Sequence, residues 1–391
     1  MRSLSALFLA ACGMSQGSIE STPPPSVDLA VECQRVRAAA VHGEEGTDEL
    51  NVEVVASGLT VPWSIDWLPD GAALVTERTG TIRYIGADGT LRAAPLATVP
   101  ISEGGEGGLL GLAVHPDFAT NRWIYLYYTA SGPFGVRNLV ERWTVSADAS
   151  SATAESVILD DIPARQFHNG GRLRFGPDGL LYVGTGDATN PDSSQDADDL
   201  AGKLLRVRDD GSVPDDNPFG SAAAILGLRN LQAFDFRDDG RIVLADHGPS
   251  GDNGWTDHDE LNVAEIGDNL GWPTIYRCQS RDGLRAPSMT WAVALPPGGG
   301  AFVPASAIPA WEGDFVVGVL GFGDDIGHLH RFTIADDGNV TRSEVYLRGQ
   351  YGRMRDVAVG PDGALYVTTS NCDGRATCPA EGDVVLRITG N

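Results

Sequence analysis

One short unit recurs along the whole chain and constrains the fold more than any other feature of the sequence. Its clear copies carry Pro-Asp-Gly turns at Asp70, Asp178 and Asp362, each between residues that favour β-strands. Proline fixes φ at the start of a tight turn, and glycine accepts the positive φ that such a turn needs. Each copy therefore predicts two short strands joined by a turn. Weaker copies lie at Asp117, Asp239 and Asp314.

The number and spacing of these copies predict the architecture. The six turn aspartates follow one another at intervals of 47 to 75 residues, enough for a four-stranded sheet with loops of varying length. Six such units indicate an all-β fold, a six-bladed β-propeller of four-stranded blades. A β-sandwich of hairpins is the alternative, but it does not explain one unit repeated from end to end.

The charge of the chain limits what it can bind. Lys and Arg number 28 against 53 Asp and Glu, which gives a formal net charge of −25. Because phosphate binding requires a basic face, this balance argues against nucleic acid as a partner. It suits a neutral substrate, and an anionic cofactor would need a local cluster of Arg or Lys.

The N-terminus has the pattern of an export signal, since Arg2 precedes an apolar run that ends at Cys12. Residues 1–12 are predicted to be a lipoprotein-type signal peptide with a lipidated Cys12; an ordinary secretory peptide is the alternative. A flexible tether rich in Ser, Pro and Gly is expected over 13–50, and the propeller over 51–391. The expected location is the periplasm or the outer membrane, or otherwise the medium. A lipid anchor would be the attachment to the membrane, because no apolar run reaches the ~18 residues of a spanning helix.

Four cysteines remain when Cys12 is set aside. An even number in an exported chain suggests disulfides. The preferred pairing is Cys372–Cys378 with Cys33–Cys278, since the first two lie close together in the sequence. A zinc site fits less well, because no C-x2-C pair is present and no His is near.

His168 is the first candidate for chemistry. It precedes a glycine pair just before a predicted inner strand, which would place it near the mouth of the propeller channel. A histidine there can act as a general base near neutral pH. Asp187, on the predicted strand that follows, could orient the imidazole. The alternatives are a structural histidine bonded to a turn and an aspartate that caps a loop.

Two further loops offer polar groups. Arg229 and Asn230 precede an apolar strand and present a cation and an amide. Gly248-Pro249 exposes backbone carbonyls, and such oxygens coordinate hard cations like Ca²⁺. By itself a Gly-Pro pair is more often a simple turn.

Arg353 and Arg355 form the last candidate site. Alternation along a strand puts their side chains on one face. Two guanidinium groups side by side are costly unless an anion lies between them, so the pair suggests a ligand with several carboxylates.

In this order on a six-bladed chain, these motifs resemble one family: the soluble quinoprotein sugar dehydrogenases, that is, the glucose/sorbosone dehydrogenase and aldose sugar dehydrogenase group. The resemblance runs from about Val52 to the C-terminus. It includes the segment from Gly105 to Phe118, Gly-Lys-Leu-Leu-Arg-Val from Gly202, Asp-Glu-Leu-Asn from Asp259, and Gly-Trp-Pro from Gly271.

The resemblance implies a function and a role for each candidate residue. It implies oxidation of aldose sugars at C1 to lactones with pyrroloquinoline quinone (PQQ) and Ca²⁺. A quinone or a cytochrome is the expected electron acceptor. His168 matches the base, Asp187 the acid that supports it, and Arg229 the group that polarises the quinone oxygen. The remaining matches are Asn230, Arg353 and Arg355 as cofactor contacts, the carbonyls of Gly248 and Pro249 as Ca²⁺ ligands, and Glu260 as a ligand of a further, structural Ca²⁺.

The chain departs from the family pattern at three places. Glu106 stands where the family often has a cofactor-contacting Gln. The family also usually carries a Lys that pairs with a PQQ carboxylate, after the strand that follows Trp311, and this Lys is missing here. Both changes predict a weaker hold on an anionic cofactor. The loop from Ser250 to His258 also looks longer than usual. Two other functions stay open: a non-catalytic binding propeller that has lost cofactor anchoring, and a Ca²⁺-dependent propeller lactonase.

Overall fold

The structure is a computed structural model that describes residues 43–391 except for 134, 292, 324 and 325. The predicted signal peptide, most of the predicted tether, and the residues Cys12 and Cys33 lie outside the described residues. The Cys33–Cys278 pairing therefore stays a prediction. The Cys372–Cys378 disulfide is present, as predicted.

The described residues form six antiparallel sheets arranged as a β-propeller, which confirms the predicted fold. In chain order the strands are β1 (Glu44–Glu45), β2 (Leu50–Leu59), β3 (Pro62–Trp67), β4 (Ala73–Glu77), β5 (Thr81–Ile85), β6 (Ala97–Thr98), β7 (Leu109–Val114), β8 (Trp123–Gly132), β9 (Gly135–Val145), β10 (Ala152–Pro163), β11 (Leu173–Phe175), β12 (Leu181–Gly184), β13 (Leu204–Val207), β14 (Ala223–Ile225), β15 (Leu231–Phe236), β16 (Ile242–Asp246), β17 (Glu260–Ala264), β18 (Met289–Thr290), β19 (Pro297–Phe302), β20 (Phe315–Val319), β21 (His328–Ile334), β22 (Val340–Tyr346), β23 (Met354–Val359), β24 (Leu365–Thr369) and β25 (Asp383–Gly390).

Each blade uses consecutive strands, except where the ring closes. Blades 1 to 5 begin at β3, β7, β11, β15 and β19, and blade 6 consists of β23, β24, β25 and the N-terminal strand β2. Strand β2 pairs antiparallel with β25 from Leu50↔Gly390 to Leu59↔Asp383. The first and last parts of the propeller therefore share one sheet, which closes the ring of blades.

Order begins before residue 51, the predicted start of the propeller. Strand β1 pairs in parallel with β22 as a fifth strand of blade 5. Asp48 accepts hydrogen bonds from Nε1 of Trp311 at 2.8 Å and Nη1 of Arg331 at 2.9 Å. The composition of residues 13–50 suggested a tether, but pairing with a distant strand leaves no local signal in a sequence.

The recurring turns form as predicted in four of the six copies. In the Pro-Asp-Gly turns, Oδ1 of Asp70, Asp178 and Asp362 accepts the backbone N–H two residues later at 3.1 to 3.2 Å, and Asp239 does the same. This contact explains why Asp recurs at the same point of the turn. The Asp117 copy instead leads into one helical turn, Phe118–Asn121. Asp314 is buried and pairs with Arg331.

Helical structure in the described residues is limited to that turn and to short 3-10 segments at Pro191–Gln195, Asp252–Gly254, Pro309–Trp311 and Asn371–Asp373. None of these is a helix of the length and apolar character required to cross a membrane. Hydrophobic side chains fill the spaces between neighbouring sheets; Tyr125 of blade 2, for example, shares a buried cluster with Leu173 and Leu205 of blade 3. Burial on both faces fixes the blades around the axis.

Candidate active site

A cavity of about 510 Å³ opens at one end of the propeller axis. In every blade the innermost strand comes first, so the residues before it and those after the second strand lie at the same end. His168 and Arg229 occupy the first kind of position, and Gly248 the second. Propeller geometry thus brings together residues far apart in sequence. The predicted site residues that line the cavity are Glu106, His168, Arg229, Asn230, Gly248, Pro249, Arg353 and Arg355.

His168 and Asp187 form a hydrogen-bonded pair at the cavity wall. Nδ1 of His168 lies 2.7 Å from Oδ1 of Asp187, and the aspartate is fully buried. A carboxylate at this position accepts the Nδ1–H hydrogen bond, which leaves the other ring nitrogen, Nε2, as the basic atom. The pairing predicted from sequence is present, although Asp187 lies just beyond the end of β12.

The backbone around the His168–Asp187 pair is closely packed and fixes the position of the histidine. His168 has φ of 59°, in the left-handed region that a bulky residue seldom adopts. A Cβ added to Gly186 would lie 2.1 Å from the carbonyl oxygen of His168, so no other residue fits beside it. The N–H of His168 is also held, by Oε2 of Glu106 at 3.0 Å. These contacts fix where the imidazole stands.

Trp272 completes the surroundings of Asp187, and sequence reasoning did not assign it a role. Its indole Nε1–H donates to Oδ2 of Asp187 at 2.9 Å, and the N–H of Thr189 donates to Oδ1 at 2.8 Å. The carboxylate is thus held at both oxygens. The motif Gly-Trp-Pro from Gly271 was part of the family resemblance, but only the fold shows that it reaches the histidine.

Asp246, at the end of β16, orients the Arg229–Asn230 loop. Its two carboxylate oxygens accept the backbone N–H groups of Arg229 and Asn230 at 2.8 and 2.7 Å. Burial raises the pKa of Asp246 to about 6. Oδ1 of Asn230 in turn accepts the N–H of Gly170 at 2.9 Å. Asn230 therefore ties its own loop to the one that carries His168.

The guanidinium of Arg229 pairs with Asp252. Oδ2 of Asp252 accepts from Nε at 3.1 Å and from Nη2 at 2.8 Å. Asp252 belongs to the loop from Ser250 to His258, which is longer than the family pattern predicts. The fold brings that loop to the cavity and places a carboxylate beside Arg229, the residue predicted to polarise the quinone oxygen.

Gly248 and Pro249 line the cavity, and their backbone carbonyls are the predicted cation ligands. The N–H of Gly248 donates to Oδ1 of Asp259 at 2.9 Å, and proline has no N–H. No hydrogen bond among the described residues ends on either carbonyl oxygen. A Cβ at Gly248 would lie 2.3 Å from the carbonyl oxygen of Asp257. Two free carbonyls on a rigid turn suit a hard cation.

Glu260 does not line this cavity. It lies on β17 opposite Asp246, and burial raises its pKa to about 8, with the charges of Asp246 and Asp259 acting in the same direction. Within the described residues, no group of three or more His, Cys, Asp or Glu side chains is arranged to hold a metal. A role for Glu260 at a second Ca²⁺ stays a prediction.

Arginines form one wall of the cavity. Arg355 is buried, its Nε has no hydrogen-bond partner, and burial lowers its pKa to about 9, with the charge of Arg353 acting in the same direction. Arg353 donates to Asp373 at 3.0 Å and to backbone carbonyls. Of the two predicted anion contacts, Arg355 is thus the one whose charge is uncompensated. Nη1 of Arg355 makes a long contact of 3.4 Å with Oε1 of Gln232, and the guanidinium forms no ion pair among the described residues. A buried guanidinium in this state beside a cavity fits an anionic ligand.

Arg78 and Arg375 also line the cavity, and sequence reasoning missed both. The expected depletion of anion-binding groups, based on Glu106 and the missing Lys, therefore overlooked two cations that the fold supplies. Arg78 follows the second strand of blade 1, as Gly248 follows the second strand of blade 4. Residues in this position lie at the cavity end of the propeller, so the place of Arg78 could have been predicted. Arg375 lies in the Cys372–Cys378 loop, where no motif indicates its direction.

His247 is the other histidine at the cavity, and its chemistry differs from that of His168. Burial lowers its pKa to about 3, and its Nε2 lies 2.6 Å from the carbonyl oxygen of Pro297. A neutral ring must donate Nε2–H to that carbonyl, so this nitrogen has no lone pair to offer. His168 is the better placed of the two to act as a base.

Comparison with known proteins assigns this propeller and its axial cavity to a class of oxidoreductases. The chain belongs to the Glucose / Sorbosone dehydrogenase family, whose model matches residues 59–378. Aldose sugar dehydrogenase YliI of Escherichia coli is 34% identical over 351 residues, 83% of this chain and 91% of the relative.

Several solved structures are similar over most of the chain. The PQQ-bound form of an aldose sugar dehydrogenase from Streptomyces coelicolor is 33% identical, with a TM-score of 0.77, and the match covers 88% of this chain and 99% of that one. An oxidoreductase from Thermus thermophilus, assigned as a glucose dehydrogenase, is 39% identical with a TM-score of 0.79, covering 87% and 100%.

Proposed function

We propose that this protein oxidises aldose sugars at C1 to lactones, with PQQ and Ca²⁺ bound in the axial cavity. The observation that carries the proposal is a histidine held by a buried carboxylate in the same cavity as Arg355, a buried guanidinium that forms no ion pair among the described residues. Family membership and the PQQ-bound relative support the same assignment.

The cavity's charges fit an anionic cofactor. Arg355 and Arg353 are the proposed carboxylate contacts, while Arg229 and Asn230 line the same cavity from the loop that precedes blade 4. PQQ, when bound, supplies the acceptor for the hydride that leaves the sugar carbon. The protein contributes binding, orientation and charge, as in other cofactor enzymes.

His168 is the proposed general base. Its Nε2 removes the proton of the sugar's C1 hydroxyl, and the resulting imidazolium is stabilised by the carboxylate of Asp187, 2.7 Å from Nδ1. Because Asp187 is fully buried, its charge acts on the ring with little screening by solvent. The fixed backbone of His168 keeps Nε2 in one place during proton transfer.

Arg229 is the residue proposed to polarise the quinone oxygen. A guanidinium keeps its charge at any ordinary pH, so it can stabilise negative charge that develops at an oxygen nearby. Asp252 holds it in position while leaving Nη1 only a long contact, 3.4 Å to the carbonyl oxygen of His247. The carbonyls of Gly248 and Pro249 are the proposed Ca²⁺ ligands, and Glu260 is proposed for a second, structural Ca²⁺.

The cellular setting is also proposed. Export with a lipid on Cys12 is supported by the N-terminal pattern, and the Cys372–Cys378 disulfide suits an oxidising compartment. We propose that residues 1–12 are the signal peptide, that a tether follows, and that a quinone or a cytochrome takes the electrons.

The test is reconstitution. Purified apoprotein should reduce a redox dye when PQQ, Ca²⁺ and an aldose are all present, and not when any one is left out. No PQQ binding and no activity across a broad panel of aldoses would favour a non-catalytic propeller that has lost the cofactor. Hydrolysis of a lactone without PQQ would favour the lactonase.

A further inference from the structure

The disulfide loop between Cys372 and Cys378 carries a cation into the cavity. Arg375 is in the middle of this loop and lines the cavity, and its Nη2 lies 3.5 Å from Oε1 of Glu106. Its side chain is 29% exposed, whereas that of Arg353 is only 2% exposed. Arg375 is therefore a cation at the rim, within reach of a ligand that enters from solvent.

We propose that Arg375, held by the Cys372–Cys378 loop, is an anchor for a carboxylate of the cofactor and offsets the charge of Glu106. The inference rests on the proposed function. It gives Arg375 the task that a Lys after β20 would otherwise perform.

The charges around the rim support this role. Arg353 is neutralised by Asp373, since both side chains are buried and lie 3.0 Å apart. Glu106 also faces the cavity and would repel an anion. Without Arg375 its charge would have no cation within ion-pair distance, because the Arg375 contact is the one ion pair that Glu106 forms among the described residues. Arg375 thus adds an attraction and cancels a repulsion.

The loop has the contacts of a rigid support. Backbone N–H groups of Asn371 and Cys372 donate to the buried Asp383 at 2.6 and 3.2 Å. The N–H of Arg375 donates to Oδ1 of Asp373 at 3.0 Å, while its carbonyl accepts the N–H of Gly323 at 3.1 Å. The disulfide closes this seven-residue segment, which limits how far Arg375 can move from the cavity.

The test measures the dissociation constant of PQQ by ultrafiltration and absorbance, in Ca²⁺ and at low salt. Arg375→Ala should weaken binding about tenfold, as expected for loss of one partly exposed charge-assisted contact. Arg375→Lys should recover most of that affinity. Arg342→Ala is the matched control, because Arg342 lies on an outer strand with a half-exposed side chain. This variant should bind PQQ as tightly as the wild type does.

Glu106 provides a double-mutant cycle. Glu106→Gln should tighten PQQ binding, and Arg375→Ala should cost less in that background than in the wild type, because no bare carboxylate is left behind. Equal costs in both backgrounds would show that Arg375 does not act on Glu106.

The disulfide gives an independent arm. Replacing Cys372 and Cys378 by Ser together should weaken PQQ binding in the wild-type background and add little to Arg375→Ala. A weakening that is equally large in both backgrounds would mean that the loop acts on the site in another way.

The outcomes separate this inference from the proposed function. If wild type fails to bind PQQ at all, the proposed function fails. If wild type binds PQQ and Arg375→Ala binds it equally well, with unchanged thermal unfolding, then Arg375 is no anchor although the proposed function stands.

Discussion

Asp187→Asn tests the histidine–aspartate pair most sharply, because Asp187 accepts three hydrogen bonds. Oδ1 takes the Nδ1–H of His168 and the N–H of Thr189, and Oδ2 takes the Nε1–H of Trp272. Asparagine offers one oxygen and one NH₂ group in the same space. At least one of the three positions must then become a donor that faces a donor.

Either orientation of the new amide is costly. With its NH₂ toward Trp272, two donors meet at a fully buried position. With its NH₂ toward His168, Nδ1 must accept, so the ring proton moves to Nε2 and the base is lost. A hydrogen bond to a charged group is worth about 1.5–3 kcal/mol. This loss corresponds to a fall in kcat of about 10- to 150-fold.

The assay is sugar-dependent dye reduction at saturating PQQ and Ca²⁺, with PQQ affinity measured separately. Affinity should be nearly unchanged, since Asp187 does not line the cavity. Adding Trp272→Phe removes the opposing donor, so the double variant should regain part of the lost kcat. A folded Asp187→Asn protein with kcat within about twofold of wild type would refute the reasoning.

Three further predictions concern the ligands and the stability of the fold. Arg355→Met should abolish PQQ binding yet raise the free energy of unfolding of the apoprotein by about 1–4 kcal/mol, measured in urea, because an unpaired buried charge is removed; a destabilised apoprotein would contradict it. Gly248→Ala should weaken Ca²⁺ binding at least tenfold by calorimetry, since its Cβ would lie 2.3 Å from a carbonyl oxygen; unchanged affinity would mean that Ca²⁺ binds elsewhere. Burial lowers the pKa of Lys203 to about 8, from 10.5 in the unfolded chain. Between pH 8 and pH 10.5 the lysine is therefore protonated in the unfolded chain but neutral in the folded one, so the free energy of unfolding rises with pH. Wild type should therefore gain up to about 3 kcal/mol over Lys203→Met between those pH values, and parallel pH profiles of the two proteins would count against this account.

The fold could be predicted because its signal is local. Each Pro-Asp-Gly turn forms its own hydrogen bond, as at Asp70, so the repeating unit can be recognised without knowledge of the whole fold. Ring closure is different, because β2 pairs with a strand more than 300 residues away. Nothing in the composition near Asp48 indicates such a partner.

The candidate site likewise contains residues that could be predicted from the sequence and residues that could not. His168, Arg229 and Gly248 lie in recognisable motifs, and their order along the chain matches a family. Trp272 and Arg375 reach the site through long loops whose paths depend on tertiary contacts. The sequence showed what residue types were present there, but only the fold shows which charges meet.

His168→Ala is the most direct test of the central claim that one cavity binds the quinone and supplies the base. PQQ binding is followed by absorbance titration with Ca²⁺ present, and aldose-dependent dye reduction is measured on the same samples. The prediction is PQQ affinity within a few-fold of wild type, together with a loss of turnover of about 10²-fold or more. Turnover that survives in the variant, or PQQ binding lost together with turnover, would contradict the assignment of His168 as the base.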